Sequence, residues 1–405
     1  MPKSMLLDIL QRHSGRQILE TGPKPAITSS HVPIFPFLGI VGQVEMKTAL
    51  ILSVINPAVG GVLLIGPRGT GKTTAVRGLV DLMPPVPRSL CLYGCEEEAA
   101  EIWGMDAICP DCAAKMGRGE PLTGLDRMRL IELPLNARLE DVLGGLNERI
   151  AIEQHRVRLE RGILAHAHRN LLYIDEVNLL EDVIADAILD AAAQGRVIVR
   201  RGPLSAVYPA SFVLVGSMNP EEGVLRPQIQ DRFGLRVIVD GLSSQENRLE
   251  VYRRVRAFRE HPDRVIAALA QDTISFGKEI ESAVTLLPDV ELTSAAERLA
   301  LQMVNQLSIS SHRAEITCLE AARAYAAADG RQKATADDVA AVAPMALCQR
   351  RSDFMRAYFD DAGSERSEIE SICRSSMDVA DSEESTELPP AGFHHPADKT
   401  RSHGG

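Results

Sequence analysis

Leu64-Ile65-Gly66-Pro67-Arg68-Gly69-Thr70-Gly71-Lys72-Thr73 is the stretch that decides the fold of this chain. It reads as the end of a buried strand running into G-x-x-x-x-G-K-[ST], a loop built to cradle phosphate. Glycines let backbone N–H groups turn inward around anionic oxygens, in a concavity that side chains would block. Lys72 reaches toward β- and γ-phosphates, and the Thr73 hydroxyl offers a position on Mg²⁺, with Thr74 beside it. Helical spacing of Ala75, Val76, Leu79 and Val80 starts a helix here, so its partly positive N-terminus faces the anion. The apolar run Val62, Leu63, Leu64 and Ile65 supplies the strand before it. The expected ligand is a nucleoside triphosphate with its Mg²⁺.

Working outward, the 405 residues leave room for two domains and tails, and 45% hydrophobic content is ordinary for a globular protein. No run approaches the ~18–20 apolar residues of a membrane span. The first residues carry Lys3, Asp8, Arg12 and Arg16 among short apolar pieces, without a signal-peptide core, so a cytoplasmic location is expected. A net charge of −11 argues against a general nucleic-acid binder. Residues 361–405 contribute ten acidic and four basic side chains, rich in Ser, Glu and Pro, and read as disordered. Seven cysteines, an odd number, favour metal or free thiols over a disulfide framework.

The rhythm of the chain fixes the fold class. Apolar, β-rich runs at 62–65, 130–133, 171–174, 212–216 and 236–239 alternate with helical patterns, which implies crossover connections and a parallel sheet. Residues 196–208, turning at Gly202-Pro203, read as an inserted β-hairpin. Beyond Ser243 strands are not expected. Helices are expected over 244–260, 262–271, 274–287, 293–309, 312–328 and 335–350, the last capped by Thr335 with Asp338. The division is an extension at 1–33 with a short helix near 5–18, an α/β nucleotide domain at 34–243, a helical domain at 244–358, and an acidic tail at 359–405.

Three further elements carry chemistry. Leu171-Leu172-Tyr173-Ile174 ends in Asp175 and Glu176, at the strand end that faces the ligand crevice of an open α/β sheet. Asp175 suits Mg²⁺, and Glu176 suits orienting and deprotonating a water that attacks the γ-phosphate. The run 212–216 leads to Asn219, whose amide is placed to position that water. Cys91-x3-Cys95-x13-Cys109-x2-Cys112, in a Cys-rich insertion of about 88–122, has the spacing of a structural tetrathiolate zinc site. An iron–sulfur cluster, free thiols or a redox disulfide pair remain open readings of the same four cysteines. Cys318, Cys348 and Cys373 stand singly and read as packing or tail residues.

P-loop, Asp-Glu strand, Asn-bearing strand end and helical lid, in this order, resemble an AAA+ ATPase. F-L-G-I-V-G-Q at 37–43, G-G-V-L-L-I-G-P-R-G-T-G-K at 60–72, Y-I-D-E-V-N-L-L at 173–180, G-S-M-N-P-E-E-G at 216–223 and L-R-P-Q-I-Q-D-R-F-G at 225–234 resemble the I subunit of magnesium chelatase. The resemblance covers about 34–355 and implies roles residue by residue. Lys72 and Thr73 match Walker A, Asp175 and Glu176 Walker B, and Asn219 sensor 1. Arg232 matches an arginine finger that reaches a neighbouring subunit's ATP. Arg313 matches the sensor 2 arginine of the lid, with Arg323 as a competing lid candidate. The hairpin 196–208 and the segment 142–165 match insertions of the family. Pro67 and Thr73 stand where relatives commonly carry Asp and Ser, and His166 and His168, where relatives carry Arg or Asn, read as polar face residues. The four cysteines depart from many relatives.

The resemblance implies a ring, expected to be hexameric, acting with chelatase subunits D and H to insert Mg²⁺ into protoporphyrin IX on the route to (bacterio)chlorophyll. With 4% aromatic residues and no His/carboxylate constellation outside the ATP crevice, metal insertion itself is expected in another subunit. A MoxR-like chaperone ATPase and the small ATPase subunit of cobaltochelatase share the ATP chemistry; the motifs at 216–234 favour the chelatase.

Overall fold

In the computed structural model, residues 33–351 are described except 92–93, 106–107, 147–158 and 203, together with Ser364 and a helical piece at 367–373. The expected extension, the short helix near 5–18 and the end of the acidic tail lie outside the described residues, as does the middle of the segment 142–165.

The strands are β1 (Val62–Ile65), β2 (Pro85–Ser89), β3 (Thr123–Arg127), β4 (Leu130–Glu132), β5 (Leu171–Ile174), β6 (Arg196–Arg201), β7 (Leu204–Pro209), β8 (Val213–Met218), β9 (Leu235–Ile238), β10 (Glu291–Leu292) and β11 (Lys333–Ala334). Five of them form one parallel sheet in the order β4-β5-β8-β1-β9. Its inner strands are buried throughout because helices cover both faces. The two-residue period divides them: Val62, Leu64, Leu171, Tyr173, Val213 and Val215 enter one core, while Leu63, Ile65, Leu172, Ile174 and Leu214 enter the other. The first core also takes the helix Val44–Ile55 and residues of the helices beyond Ser243, from Phe276 to Leu347. The helical region therefore shares the sheet's core rather than closing one of its own. The second core packs the helix Asp182–Gln194.

The predicted hairpin is present as β6 against β7, with Val197 opposite Tyr208. Two expectations need correcting. The pieces 262–271 and 274–287 are one helix, Pro262–Leu286, because Val265, Leu269, Phe276, Ile280 and Ala283 continue a single buried stripe across Asp272 and Thr273. Strands also do not end at Ser243, since β10 and β11 pair in parallel, Leu292 opposite Ala334. The helix Ala336–Leu347 begins where predicted: the Asp338 carboxylate accepts the Thr335 N–H at 2.7 Å.

Because the strands are parallel, the sheet has two unlike ends. At the C-terminal end lie Gly66, Asp175, Asn219 and Val239; at the other lie Gly60, Arg169, Ser211 and Gly234, where the Gly234 N–H donates to the Gly60 carbonyl and the Arg169 N–H to the Ser211 carbonyl.

Candidate functional site

The phosphate loop is braced by the sheet. The Gly66 N–H donates to the Met218 carbonyl at 3.1 Å, and a Cβ at Gly66 would collide with the Val239 carbonyl oxygen, so only glycine fits. Gly69 and Gly71 hold φ of 82° and 89°, in left-handed backbone that glycine adopts freely, and their would-be Cβ positions face open space. That open cradle fits phosphate oxygens. Lys72 opens the helix Lys72–Leu79 and is 9% exposed. Its ammonium donates to the Gly66 and Pro67 carbonyls at 2.7 and 2.8 Å. Burial holds the Lys72 pKa below the ordinary lysine range, against the opposing pull of Asp175, Glu176 and Glu222.

Across a cleft of 240 Å³, Asp175, Glu176, Ser217 and Asn219 face residues 68–74. A hydroxyl hub, which sequence reading missed, fixes the acidic side. The Tyr173 hydroxyl lies 3.0 Å from Thr73 Oγ1 and donates to the Asp175 carboxylate at 2.9 Å; Ser217 Oγ donates to the same oxygen at 2.5 Å. Burial pushes the Tyr173 phenol well above its usual pKa, so it stays a proton donor. Thr73 and Asp175 are thus oriented as hard oxygen donors, the set that suits Mg²⁺. Glu176 sits in left-handed backbone at φ 56°, its N–H donating to Ser217 Oγ at 3.2 Å. A non-glycine residue there is strained, as residues at functional sites often are. Arg68 of the phosphate loop donates to the Glu176 carboxylate at 3.1 Å and also pairs with Glu222. Asn219 is 4% exposed, and its side-chain oxygen accepts the Glu221 N–H at 3.3 Å. It therefore caps a turn while lining the cleft.

A second cavity of 740 Å³ opens from the same loop, lined by Ile40, Val41, Val251, Val255 and Phe258 beside Gly69–Thr70–Gly71. Its apolar side chains, with Gln43, Arg248 and Arg259 beside them, suit the base and sugar of a nucleotide. The wall at 39–41 is pinned by two buried cations: Lys47 donates to the Ile40 carbonyl at 2.6 Å and Arg254 to the Gly39 carbonyl at 2.9 Å. Burial, with Arg254 nearby, lowers the Lys47 pKa to about 7.

The arginines stand elsewhere. Arg232 ends the helix Pro227–Arg232 two residues before Gly234, at the N-terminal end of the sheet. The four residues of β1 alone put about 13 Å between that end and the phosphate loop. Arg232 pairs with Asp190 on the helix Asp182–Gln194. Its neighbour Asp231 gathers three other arginines: Arg350 at 2.8 Å, Arg236 at 3.5 Å and Arg313 at 3.8 Å. Arg313 is thus beside the predicted finger and away from its own chain's phosphate loop. Arg323 donates to the Leu287 and Val290 carbonyls, a packing role that removes it as a candidate. The four predicted cysteine ligands converge, with every pair of sulfurs within 4.8 Å. His168 and His166 take no part in that cluster.

Comparison with known proteins follows the same lines. A family model described as magnesium chelatase, subunit ChlI, matches residues 149–233, and an AAA lid domain model matches 300–372. The magnesium-chelatase subunit ChlI homolog of Methanocaldococcus jannaschii is 43% identical over 318 residues, 78% of this chain and 85% of that protein. The magnesium-chelatase 38 kDa subunit of Acidiphilium rubrum is 42% identical over 78% of this chain and 91% of its own. A chain from a cryo-EM-based BchI–BchD complex of magnesium chelatase is 38% identical over 79% of this chain and 97% of its own, with a TM-score of 0.45. By identity and coverage, this chain belongs to the ChlI family of magnesium-chelatase AAA+ subunits.

Proposed function

We propose that the chain is the ATP-hydrolysing motor of a magnesium chelatase and that each of its ATP sites is shared between two copies. The observation that supports this is the separation of charge along the sheet. Lys72, Thr73, Asp175, Glu176 and Asn219 share one end, while Arg232 and Arg313 lie at the other. A cation aimed at the charge developing on the γ-phosphate is worth ~10³-fold or more in rate, and Arg232 and Arg313, turned away from their own chain's cleft, are placed to supply that cation to a neighbour. Such a head-to-tail contact closes into a ring when the rotation permits; we assign a hexamer.

In this reading the backbone N–H groups of Gly69, Thr70, Gly71, Lys72 and Thr73 and the Lys72 ammonium hold the phosphates. Thr73 and Asp175 hold the Mg²⁺ that enters with ATP, oriented by Tyr173 and Ser217. The metal draws charge off the β- and γ-phosphates when bound. Glu176, once parted from Arg68, accepts the proton of the attacking water, and Asn219 orients that water. Ile40, Val41 and Phe258 enclose the base. The motion released by hydrolysis passes to partner subunits D and H, where Mg²⁺ enters protoporphyrin IX, in the cytoplasm. A structural Zn²⁺ at Cys91, Cys95, Cys109 and Cys112 completes the cofactor set. Among the described residues, no helix is long and apolar enough to cross a membrane.

Reconstitution with candidate D and H subunits, following porphyrin fluorescence with and without ATP, tests the assignment. ATP-dependent Mg²⁺ insertion that needs all three subunits is expected. Insertion of Co²⁺ instead would identify a cobaltochelatase, and ATPase activity without any metallation a MoxR-like chaperone.

A further inference from the structure

The insertion between β2 and β3 is a knob with its own small core. Cys95, Cys109, Cys112, Ala100, Ile108 and Leu122 are buried together, apart from both main cores. So small an apolar cluster does not hold a fold by itself; knobs of this size need a staple. Its base is zipped by the antiparallel β2–β3 ladder, Pro85 opposite Arg127 through Ser89 opposite Thr123. The Glu97 carboxylate adds bonds to the Leu122 and Thr123 N–H groups. Above that base, the four thiols converge on one another.

Their geometry is close to that of one tetrahedral ion. With Zn–S bonds of about 2.3 Å, the sulfurs of a tetrathiolate lie about 3.8 Å apart. Here every pair falls within 4.8 Å, and Cys91 Sγ lies 3.6 Å from Cys109 Sγ. A four-iron cluster stands its thiolates outside a cube, farther apart than one ion allows. The backbone is also arranged for thiolates. Gly94, at φ 62°, makes the turn whose N–H returns to the Cys91 carbonyl, and the Cys109 N–H donates to Cys95 Sγ at 3.2 Å. Cys109 caps the helix Pro110–Gly117 and Cys112 lies in its first turn, so the partly positive helix end faces the sulfurs.

The knob also grips the body of the protein. Arg161 donates to the Gly94 carbonyl at 2.8 Å and lies 5.1 Å over the Tyr208 ring. A tetrathiolate with one divalent ion carries a net charge of −2, which a guanidinium beside Gly94 complements. Arg169 pairs with Glu98 at 2.8 Å and Glu96 at 3.7 Å, and Glu96 lies 3.4 Å from His168. Arg161 to Arg169 lead into β5, which ends at Asp175; Tyr208 and Ser211 lead into β8, which ends at Asn219.

We propose that Cys91, Cys95, Cys109 and Cys112 bind a single tetrahedral Zn²⁺ and that the loaded knob, through the Gly94–Arg161 bond, braces the segments entering β5 and β8. This takes up the structural Zn²⁺ of the preceding reading and gives it a stoichiometry and a task; nothing in it requires ATP hydrolysis. The test uses the full chain. Elemental analysis should find about one zinc per chain, also in Lys72→Ala, which separates this proposal from the ATPase assignment. Co²⁺ replacing the zinc should give the intense thiolate charge-transfer and tetrahedral d–d bands of an S₄ site. Cys91→Ser, at the half-buried ligand, and Cys112→Ser should each weaken metal binding at least ten-fold, with Cys373→Ser unchanged. On chelation, hydrogen exchange should rise in the knob and in segments 159–169 and 208–211, with β1 protected as before. Arg161→Ala should keep the zinc and lose that coupling. Iron with acid-labile sulfide, or a folded chain with four reactive thiols that takes up neither Zn²⁺ nor Co²⁺, overturns the site. A change of exchange confined to the knob overturns the bracing role.

Discussion

The phosphate loop and the cysteine knob are both short loops turned around a charge, yet they are held in opposite ways. The phosphate loop springs from a strand buried on both faces and leans on the Val239 carbonyl, so its shape precedes its ligand. Among the described residues the knob has six buried apolar side chains of its own and a two-stranded base, so its upper part owes its shape to what the thiolates hold. Taking the ligand from the first leaves a cradle; taking it from the second leaves a chain without a core. Pre-organisation is thus distributed unevenly along one sequence, in proportion to how much apolar surface lies beneath each loop.

The largest effects that would sharpen or break this contrast fall on the phosphate loop. Lys72→Ala should lower ATP turnover by about 10³-fold with little change in thermal melting, measured by circular dichroism. A melting loss as large as a core mutation would mean that the Lys72 bonds to Gly66 and Pro67 shape the loop after all. Arg232→Ala should keep nucleotide binding and lose hydrolysis by a comparable ~10³-fold. Mixing it with Glu176→Gln chains should restore part of the turnover; no recovery in mixed assemblies would count against a finger acting between copies. Gly66→Ala comes next, because its methyl meets backbone that cannot move aside; a loss of about 1–3 kcal/mol is expected. Gly94→Ala should cost about 1 kcal/mol from its left-handed backbone, with Arg161 displaced and zinc retained, as denaturant melts and elemental analysis would reveal.

Smaller again is Tyr173→Phe, which removes the hydroxyl shared by Thr73 and Asp175. The Mg²⁺ concentration for half-maximal ATPase should rise about ten-fold, whereas an unchanged requirement would make the hub decorative. The smallest effect concerns Lys47. Its folded pKa of about 7 lies below that of an unfolded lysine, so between those values the unfolded chain binds the extra proton. Stability should therefore rise as pH increases from about 7 toward 10, and the wild-type-minus-Lys47→Met difference in melting should carry that slope. A flat difference would show that burial beside residues 39–41 does not disfavour the charged form of Lys47.

Legibility in the sequence followed the same physics as the contrast. Gly66 to Thr73, Asp175, Glu176 and Asn219 were readable because each follows a local apolar run that announces a strand, and ligands gather at strand ends. The hub was not, because Tyr173 reads as one more core residue of an apolar strand and its partner Ser217 lies 44 residues away. The cavity beside the phosphate loop joins Ile40 to Phe258 across about half of the chain, which no local pattern announces. β2 carries Pro85 and Pro87, which hide a strand, although an edge ladder tolerates them. The motif singles out Arg313 as a lid arginine, but its position beside Asp231 needs three dimensions.

All five strands of the central sheet run one way, so the chain enters every strand from one side and leaves it on the other. The groups proposed to hold ATP gather at the exits, whereas the knob, the β6–β7 hairpin and the arginine-bearing helix all lie at the entrances. Additions at the entrances can be gained, lost or rebuilt in evolution while the exits keep their geometry. A four-cysteine insert is the kind of addition that such topological insulation permits.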